Sequence, residues 1–420
     1  MLLLDTLLKR LIVRGELSVV DHASHEYRYG AADPLLDPVR IRFTDRRTPL
    51  AIARDPPTAT GEAYMDGRLL VEQGDIRDLL RLVAANTTFE RGDWLGPATL
   101  MGKVAERVLA RLDQINWKRR SRRNAEHTYG LKTELFELFL DQDLQYTCAF
   151  WRDLGNTLET AQYDKKVHIA AKLALKPGLR ILDIGCGWGG LALYLHQVSG
   201  AEVLGVALAE DQINVARERA AAAGVADKVR FELMDYRDVT GTFDRITSVG
   251  LLEHVGLPHY EGFFAKCREL LAMDGVMLTH CIGRMGRPGP MDRFTSKYIF
   301  PGGHIPALSQ IVSVSERHRM IVSDVEALRR HYGYTLEHWY RRTEAAREKI
   351  VAMYDERFFR MWQFYLAGSE VSFQFGELCN FQIQYIRDRD ALPMTREYIG
   401  AAESEFNARM RKPELNLEPR

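Results

Sequence analysis

A glycine-rich stretch, Gly185-Cys186-Gly187-Trp188-Gly189-Gly190, follows the strand-like run Arg180–Ile184 and leads into a helical pattern. A glycine turn between strand and helix lets the backbone approach a ligand closely and aims helix N–H groups at it. Alone, the turn fits either a dinucleotide or S-adenosylmethionine. Three features favour S-adenosylmethionine. Asp183 precedes the loop, where an acid can steady the methionine end and its ammonium. The glycines at 185, 187 and 189 are evenly spaced, unlike G-x-G-x-x-G, although Gly190 blurs the distinction. Glu253-His254 follows the fourth strand-like run at once, where a nicotinamide pocket signature would otherwise fall. Asp235, just past the third run, is placed to meet the adenine amine. The acid expected at the end of the second run for the ribose is missing: Ala207 and Leu208 stand there, with Glu210, Asp211 and Gln212 slightly later.

These residues need a scaffold, and the pattern supplies one. Arg180–Ile184, Val203–Ala207, Val229–Leu233, Arg245–Val249 and Val276–Cys281 read as strands. Helical patterns lie between them, one over Glu210–Ala223 with Gly224 as its stop and one burying Phe263, Phe264, Cys267, Leu270 and Leu271. Strands alternating with helices mean a parallel sheet with right-handed crossovers. The expected fold is α/β: a doubly wound, Rossmann-like class I methyltransferase domain with its core at 175–283 and a helical insertion at about 284–368. In that insertion Phe358, Met361, Trp362, Tyr365 and Leu366 share a helical face, with Phe359 and Phe364 adding bulk; this is either core or the wall of a greasy substrate channel. Ser372–Ile386 reads as closing strand. The first 115 residues or so form a small α+β domain, with strand-like Ile41-Arg42-Phe43 and Leu69-Leu70-Val71 and a helix near Asp75–Ala85. The division is therefore 1–115 and 116–420.

Bulk properties narrow the class. The 420 residues are 46% hydrophobic, enough for sizeable cores, and 57 basic side chains balance 57 acidic ones, which argues against a dedicated nucleic-acid binder. Five scattered cysteines fit free thiols in a reducing cytosol. His254 and His259 show no metal partner. No apolar run reaches the ~18–20 residues of a spanning helix. Leu4, Leu7, Leu8, Leu11 and Ile12 make an apolar helical face, more simply read as packing on its own domain than as lying on a membrane. Lys118-Arg119-Arg120-Ser121-Arg122-Arg123 is either a solvated linker or a docking patch for anionic headgroups.

The chain resembles the cyclopropane-fatty-acyl-phospholipid synthase family, with the mycolic acid cyclopropane synthases as relatives. The resemblance spans Ser121 to about Ile399. It is carried by Ser121-Arg122-Arg123-Asn124, Leu138-Phe139-Leu140-Asp141, Tyr146-Thr147-Cys148-Ala149-Phe150-Trp151, Leu182–Gly190 and Asp235-Tyr236-Arg237-Asp238. Ser248–Gly256, Lys297-Tyr298-Ile299-Phe300-Pro301-Gly302-Gly303 and Phe381-Gln382-Ile383-Gln384 follow. It implies that Tyr129, Tyr146, Thr147, Asp183, Gly185, Gly187, Gly189, Gln212, Asp235 and Tyr236 bind S-adenosylmethionine, with Gln212 replacing the missing acid. It further implies methylene transfer to the double bond of an unsaturated phospholipid acyl chain. A cis alkene is a weak nucleophile, so the sulfonium methyl must be held in line with it. The resulting carbocation needs shielding from water, and a bound bicarbonate removes the proton.

The resemblance places that bicarbonate on Cys148, Glu253, His280, Tyr332 and the backbone at Ile282, with Tyr334 as the alternative register. Singly, each has a plainer reading: a core thiol, an acid at a helix N-terminus, a structural histidine. Donors for an anion plus one carboxylate to relay a proton make chemical sense together. An N-terminal domain that handles lipid, peripheral contact with the inner face of the membrane from the cytoplasm and a homodimer are also implied. One stretch departs. His127-Thr128-Tyr129-Gly130-Leu131-Lys132-Thr133 stands where the family has His-Tyr-Asp-Leu-Gly-Asn, which leaves a methylene- or methyl-branched product as the alternative outcome. A small polar acceptor is a further alternative.

Overall fold

The computed structural model describes residues 1–91 and 131–411. The basic run 118–123 and Tyr129 lie outside the described residues. Two compact units are built from interleaved stretches of chain. The first takes the described part of Met1–Leu112 with Pro290–Pro301 and Tyr332–Leu378. The second takes the described part of Asp113–Gly289 with Gly302–His331 and that of Cys379–Arg420.

The first unit holds a four-stranded sheet of order β2-β1-β3-β4, with β1 Gly15–Val20, β2 Glu26–Ala31, β3 Val39–Phe43 and β4 Leu69–Gln73. The period-two pattern of β3 buries Val39, Ile41 and Phe43. Arg40 and Arg42, on its other face, both pair with Glu72 on β4, Arg40 at 3.0 Å. The N-terminal helix Leu2–Leu11 buries Leu4 and Leu8, with Ile12 just beyond it, as plain core packing requires, and leaves Leu2 and Leu3 exposed. The sequence carries no apolar run over Glu26–Ala31 to announce the hairpin of β1 and β2, because four of those six residues are exposed.

The helix Ile76–Ala85 starts with a capping box: Asp75 accepts from Asp78 N at 2.8 Å, and Asp78 accepts from Asp75 N at 3.0 Å. Tyr340 also donates its hydroxyl to Asp75 at 3.0 Å. Replacing Asp75 by alanine removes both, and stability should fall by about 1–2 kcal/mol. A urea melt should show a lower midpoint at unchanged slope; an unmoved midpoint contradicts the assignment. From the same helix Arg77 forks onto the buried Glu370 (2.5 and 3.0 Å) and reaches Glu337 at 3.0 Å.

Glu370 belongs to the helix Glu356–Gln374, which is buried on all sides along the run Met361–Ala367. The single apolar face drawn from the sequence is therefore too narrow. Phe359 and Phe364 are in the core, whereas Phe358 is half-buried and stacks between Tyr354 and Trp362. Residues Ser372–Gln374 finish this helix rather than open a strand. The helix Pro56–Met65 comes so close that a Cβ on Gly61 would lie 2.4 Å from Phe294 and 2.7 Å from Phe364.

The second unit is a seven-stranded sheet of order β10-β11-β9-β8-β5-β6-β7: β5 Arg180–Ile184, β6 Glu202–Ala207, β7 Val229–Leu233, β8 Phe243–Val249, β9 Leu271–Arg284, β10 Ile321–Ala327 and β11 Leu378–Ile386. The pairs β5/β6, β6/β7, β5/β8 and β8/β9 are parallel, and β10/β11 is antiparallel. One apolar cluster, with Phe263, Phe264, Leu270 and Ile311, covers one face. Another, with Val167, Ile169, Leu195, Ala216 and Phe406, covers the other. The helix Glu210–Ala222 closes with Gly224 at φ +68°, donating to Ala221 O while Val225 donates to Ala220 O. The chain runs outward from β5 through β6 to β7, then returns to β8 on the other side of β5. That reversal opens the ligand crevice of an open α/β sheet at the carboxyl ends of β5 and β8.

Candidate active site

At that crevice Gly185, Gly187 and Gly189 all have positive φ (+85°, +53° and +83°). A Cβ on Gly189 would strike Phe231 at 2.7 Å, whereas one on Gly187 would meet nothing within 4 Å, so the loop is closed on its sheet side and open at Gly187. Asp143 packs against the start of the helix that follows the loop. Its carboxylate, held by Lys166 and Arg219, sits where a Cβ on Gly190, the first residue of the helix Gly190–Ser199, would fall.

Among the described residues, four buried polar atoms without hydrogen-bond partners lie on β5, on β8 and in the turn that follows β8. They are Asp183 Oδ2, Thr247 Oγ1, Ser248 Oγ and Glu253 Oε2. Each such atom costs about 1–3 kcal/mol, so a concentration of them marks where a ligand would complete the bonding. Asp183 is 1% exposed, and burial pushes its carboxyl up to about 7. A ligand ammonium would restore its charge, which suits the amino end of S-adenosylmethionine.

The other cofactor candidates are placed as follows. Tyr146 packs edge-on against Phe136 at 5.1 Å. Thr147 lies over the β8 exit, its methyl 2.8 Å from where a Cβ on Gly250 would be. Gln212 is buried in the helix Glu210–Ala222. Both oxygens of Asp235 are engaged by Arg237, at 2.8 and 2.6 Å, and Tyr236 stands edge-on to Phe263.

Glu253 and Ile282 come together just past the end of β8, with His280 two residues before Ile282 on β9. Val249 pairs with His280 across the strands, and Gly250 N donates to His280 O at 2.8 Å. The turn then delivers Glu253, on the short helix Leu252–Val255, to Ile282, whose N–H donates to Glu253 Oε1 at 2.5 Å. Burial pushes the Glu253 carboxyl up to about 7, and Oε2 is left without a partner. His280 is 1% exposed, and burial holds its imidazole neutral, well below the ordinary histidine range. Asn380 and Gln382 lie 3.4 and 3.2 Å from its two ring nitrogens. A neutral ring has one N–H and one lone pair, so one of these amides presents its oxygen to the ring. The N–H reaches an anion only by releasing that amide.

Cys148 is fully buried, its thiol kept protonated by burial and donating weakly to Ala149 O at 3.3 Å. It follows Thr147 and so belongs to the segment lying over Gly250. Tyr332 is carried by the first unit, in the helix His331–Ala345, with its ring against Trp339 (5.6 Å) and Phe373 (4.9 Å).

Sequence reasoning missed four side chains here. Asn380 and Gln382 fall on the alternating polar positions of β11, with Gln384 next, a signal that they share one face. Gln162 and Lys165 lie one helical turn apart on the helix Leu158–Lys172 and are both wholly buried. Gln162 donates to Gln145 O at 3.1 Å and Thr147 O at 2.9 Å, and Lys165 donates to Thr147 Oγ1 at 2.7 Å.

A doubly wound sheet with an open glycine loop and an uncompensated acid at the end of its first strand defines a class I S-adenosylmethionine-dependent methyltransferase. The comparisons agree. The family described as mycolic acid cyclopropane synthetase matches residues 116–383, and the chain belongs to it. It is 36% identical to a probable fatty acid methyltransferase of Pseudomonas putida, over 80% of this chain and 85% of that one. It is 40% identical to the cyclopropane-fatty-acyl-phospholipid synthase of Escherichia coli K12, over 66% of this chain and 71% of that one. Among solved structures, the mycolic acid cyclopropane synthase CmaA1, complexed with SAH and CTAB, superposes with a TM-score of 0.60 at 30% identity, covering 63% of this chain and 97% of the other. The chain is thus an S-adenosylmethionine-dependent transferase.

Proposed function

We propose that this enzyme transfers a methylene group from S-adenosylmethionine to the double bond of an unsaturated phospholipid acyl chain, closing a cyclopropane, with bound bicarbonate as the base. The observation that carries this reading is Glu253. Its carboxylate is buried, has one oxygen on Ile282 N and the other without a partner, and is poised near neutral pH.

S-adenosylmethionine, when bound, supplies an electrophilic methyl, and Asp183, the glycine loop, Gln212, Asp235 and Tyr236 would hold it. Tyr129, Tyr146 and Thr147 would close over it. Bicarbonate, when bound, would supply a base; Cys148, Glu253, His280 and the backbone at Ile282 are the residues proposed to hold it, and Tyr332 is proposed as a further donor. Of these the Glu253 Oε2 atom takes up a proton, since its affinity is matched to neutral pH. The buried apolar surroundings keep water from an acyl carbocation. The reading includes a homodimer working in the cytoplasm on the inner face of the membrane, with the N-terminal residues handling lipid; among the described residues no helix is long and apolar enough to cross a bilayer.

A methylene- or methyl-branched product is the second reading. The altered Tyr129–Thr133 stretch and the similarity to a probable fatty acid methyltransferase favour it. Incubation with S-adenosylmethionine, bicarbonate and vesicles of mono-unsaturated phospholipid, followed by proton NMR of the released fatty acids, separates the two. High-field ring protons support the cyclopropane; vinylidene protons move the enzyme to the branched product. No lipid product contradicts both and leaves a small polar acceptor.

A further inference from the structure

Lys165 is fully buried, and its ammonium makes one hydrogen bond, to Thr147 Oγ1 at 2.7 Å. Two of its three N–H donors have no protein acceptor among the described residues, and no carboxylate there lies within 4 Å of it. A buried cation so poorly compensated weakens the fold, and an apolar side chain of similar shape would cost less. Its retention at this spot needs a reason other than packing. The place is informative: Lys165 and Gln162 clamp the segment that runs through Thr147 to Cys148, on the face of the sheet from which His280 projects.

The geometry points to Lys165 as a positioning residue of the reaction: its ammonium fixes Thr147 and hence Cys148, and its remaining donors and charge draw an anion to that wall of the site. This rests on the bicarbonate reading above. The charged or titratable groups that bear on Lys165 are Asp141, Asp143, Cys148 and Lys166, and its own charge is felt at His280. Desolvation brings the ammonium down to about 8, so it stays mostly charged at neutral pH. An anion next to it would restore the usual value, and the lysine would repay the anion's own desolvation.

The test compares the full-length parent with Lys165→Met and Lys165→Arg. The readouts are melting temperature, S-adenosylhomocysteine affinity by calorimetry, and lipid product formation with bicarbonate titrated into carbonate-depleted buffer. Lys165→Met should melt no lower than the parent and bind S-adenosylhomocysteine with similar affinity, yet need about tenfold more bicarbonate for half-maximal rate. Lys165→Arg should recover part of that. Thr147→Val, which deprives the ammonium of its acceptor, should shift the bicarbonate requirement in the same direction. A methionine variant with the parent's bicarbonate requirement overturns the proposal. So does one whose melting temperature or nucleoside affinity falls in step with its rate, since that would be a structural or cofactor-wall role. A parent whose rate ignores bicarbonate shows a different failure: the anion reading itself falls.

Discussion

Glu253→Gln should lower the rate of lipid product formation by about a hundred- to a thousandfold at saturating S-adenosylmethionine, with little change in cofactor affinity. The amide keeps the shape and can still accept from Ile282 N, so the loss isolates the proton-accepting oxygen. The stability effect has the opposite sign to the activity effect. A carboxyl whose folded affinity for a proton is raised to about 7 stabilises the fold most below the ordinary carboxylate range, and that contribution is lost as pH rises through about 7. Above pH 7 the parent carries a buried charge that the glutamine variant lacks. The variant should therefore melt no lower than the parent at pH 8 while being nearly inactive. In the parent, activity should fall below about pH 7 as Glu253 is protonated. A variant that keeps a tenth or more of parental activity contradicts the role given to Glu253.

Asp183→Asn should weaken S-adenosylhomocysteine binding by roughly a hundredfold, about 2.7 kcal/mol, because a buried carboxylate loses its ionic contact with the amino end of the ligand. Isothermal calorimetry at pH 8 is the measurement. The group is buried, has a free Oδ2 and is held near 7 only by desolvation, so a bound cation recovers what burial costs. The same sign argument applies as for Glu253. The asparagine variant should be no less stable than the parent above pH 7, which separates a binding defect from a folding defect. An unchanged affinity would mean that Asp183 faces some part of the ligand other than its ammonium.

The cofactor fold was the most legible part of the chain. Strands β5 to β8 lie within two residues of their sequence-drawn limits, because a parallel sheet covered on both faces needs short runs rich in β-branched residues. The Gly224 stop follows from the same local chemistry. Elements that bury less were harder to see. β10 alternates exposed and half-buried residues at the sheet edge, and β2 exposes most of its side chains; neither carries an apolar run. In the candidate site, Asp183, Glu253 and the glycine loop were recognisable because their chemistry is tied to positions at strand ends. Lys165 was not, since a lysine on a helix is ordinarily solvent-facing and only the structure shows this one enclosed. The amides of Asn380 and Gln382 escaped for a related reason: their partner, His280, lies about a hundred residues away in sequence and meets them only across the sheet.

The central claim is that the transferred carbon loses a proton to a base held in this site while it closes onto an acyl double bond. S-adenosylmethionine with a trideuterated methyl, incubated with bicarbonate and mono-unsaturated phospholipid vesicles, tests it most directly. The account predicts a fatty acid that retains two of the three deuterons, with a deuterium NMR signal at the high field of a cyclopropane ring. A product that retains all three deuterons in a methyl group would contradict it, because the proton would then have left the acyl chain and not the transferred carbon.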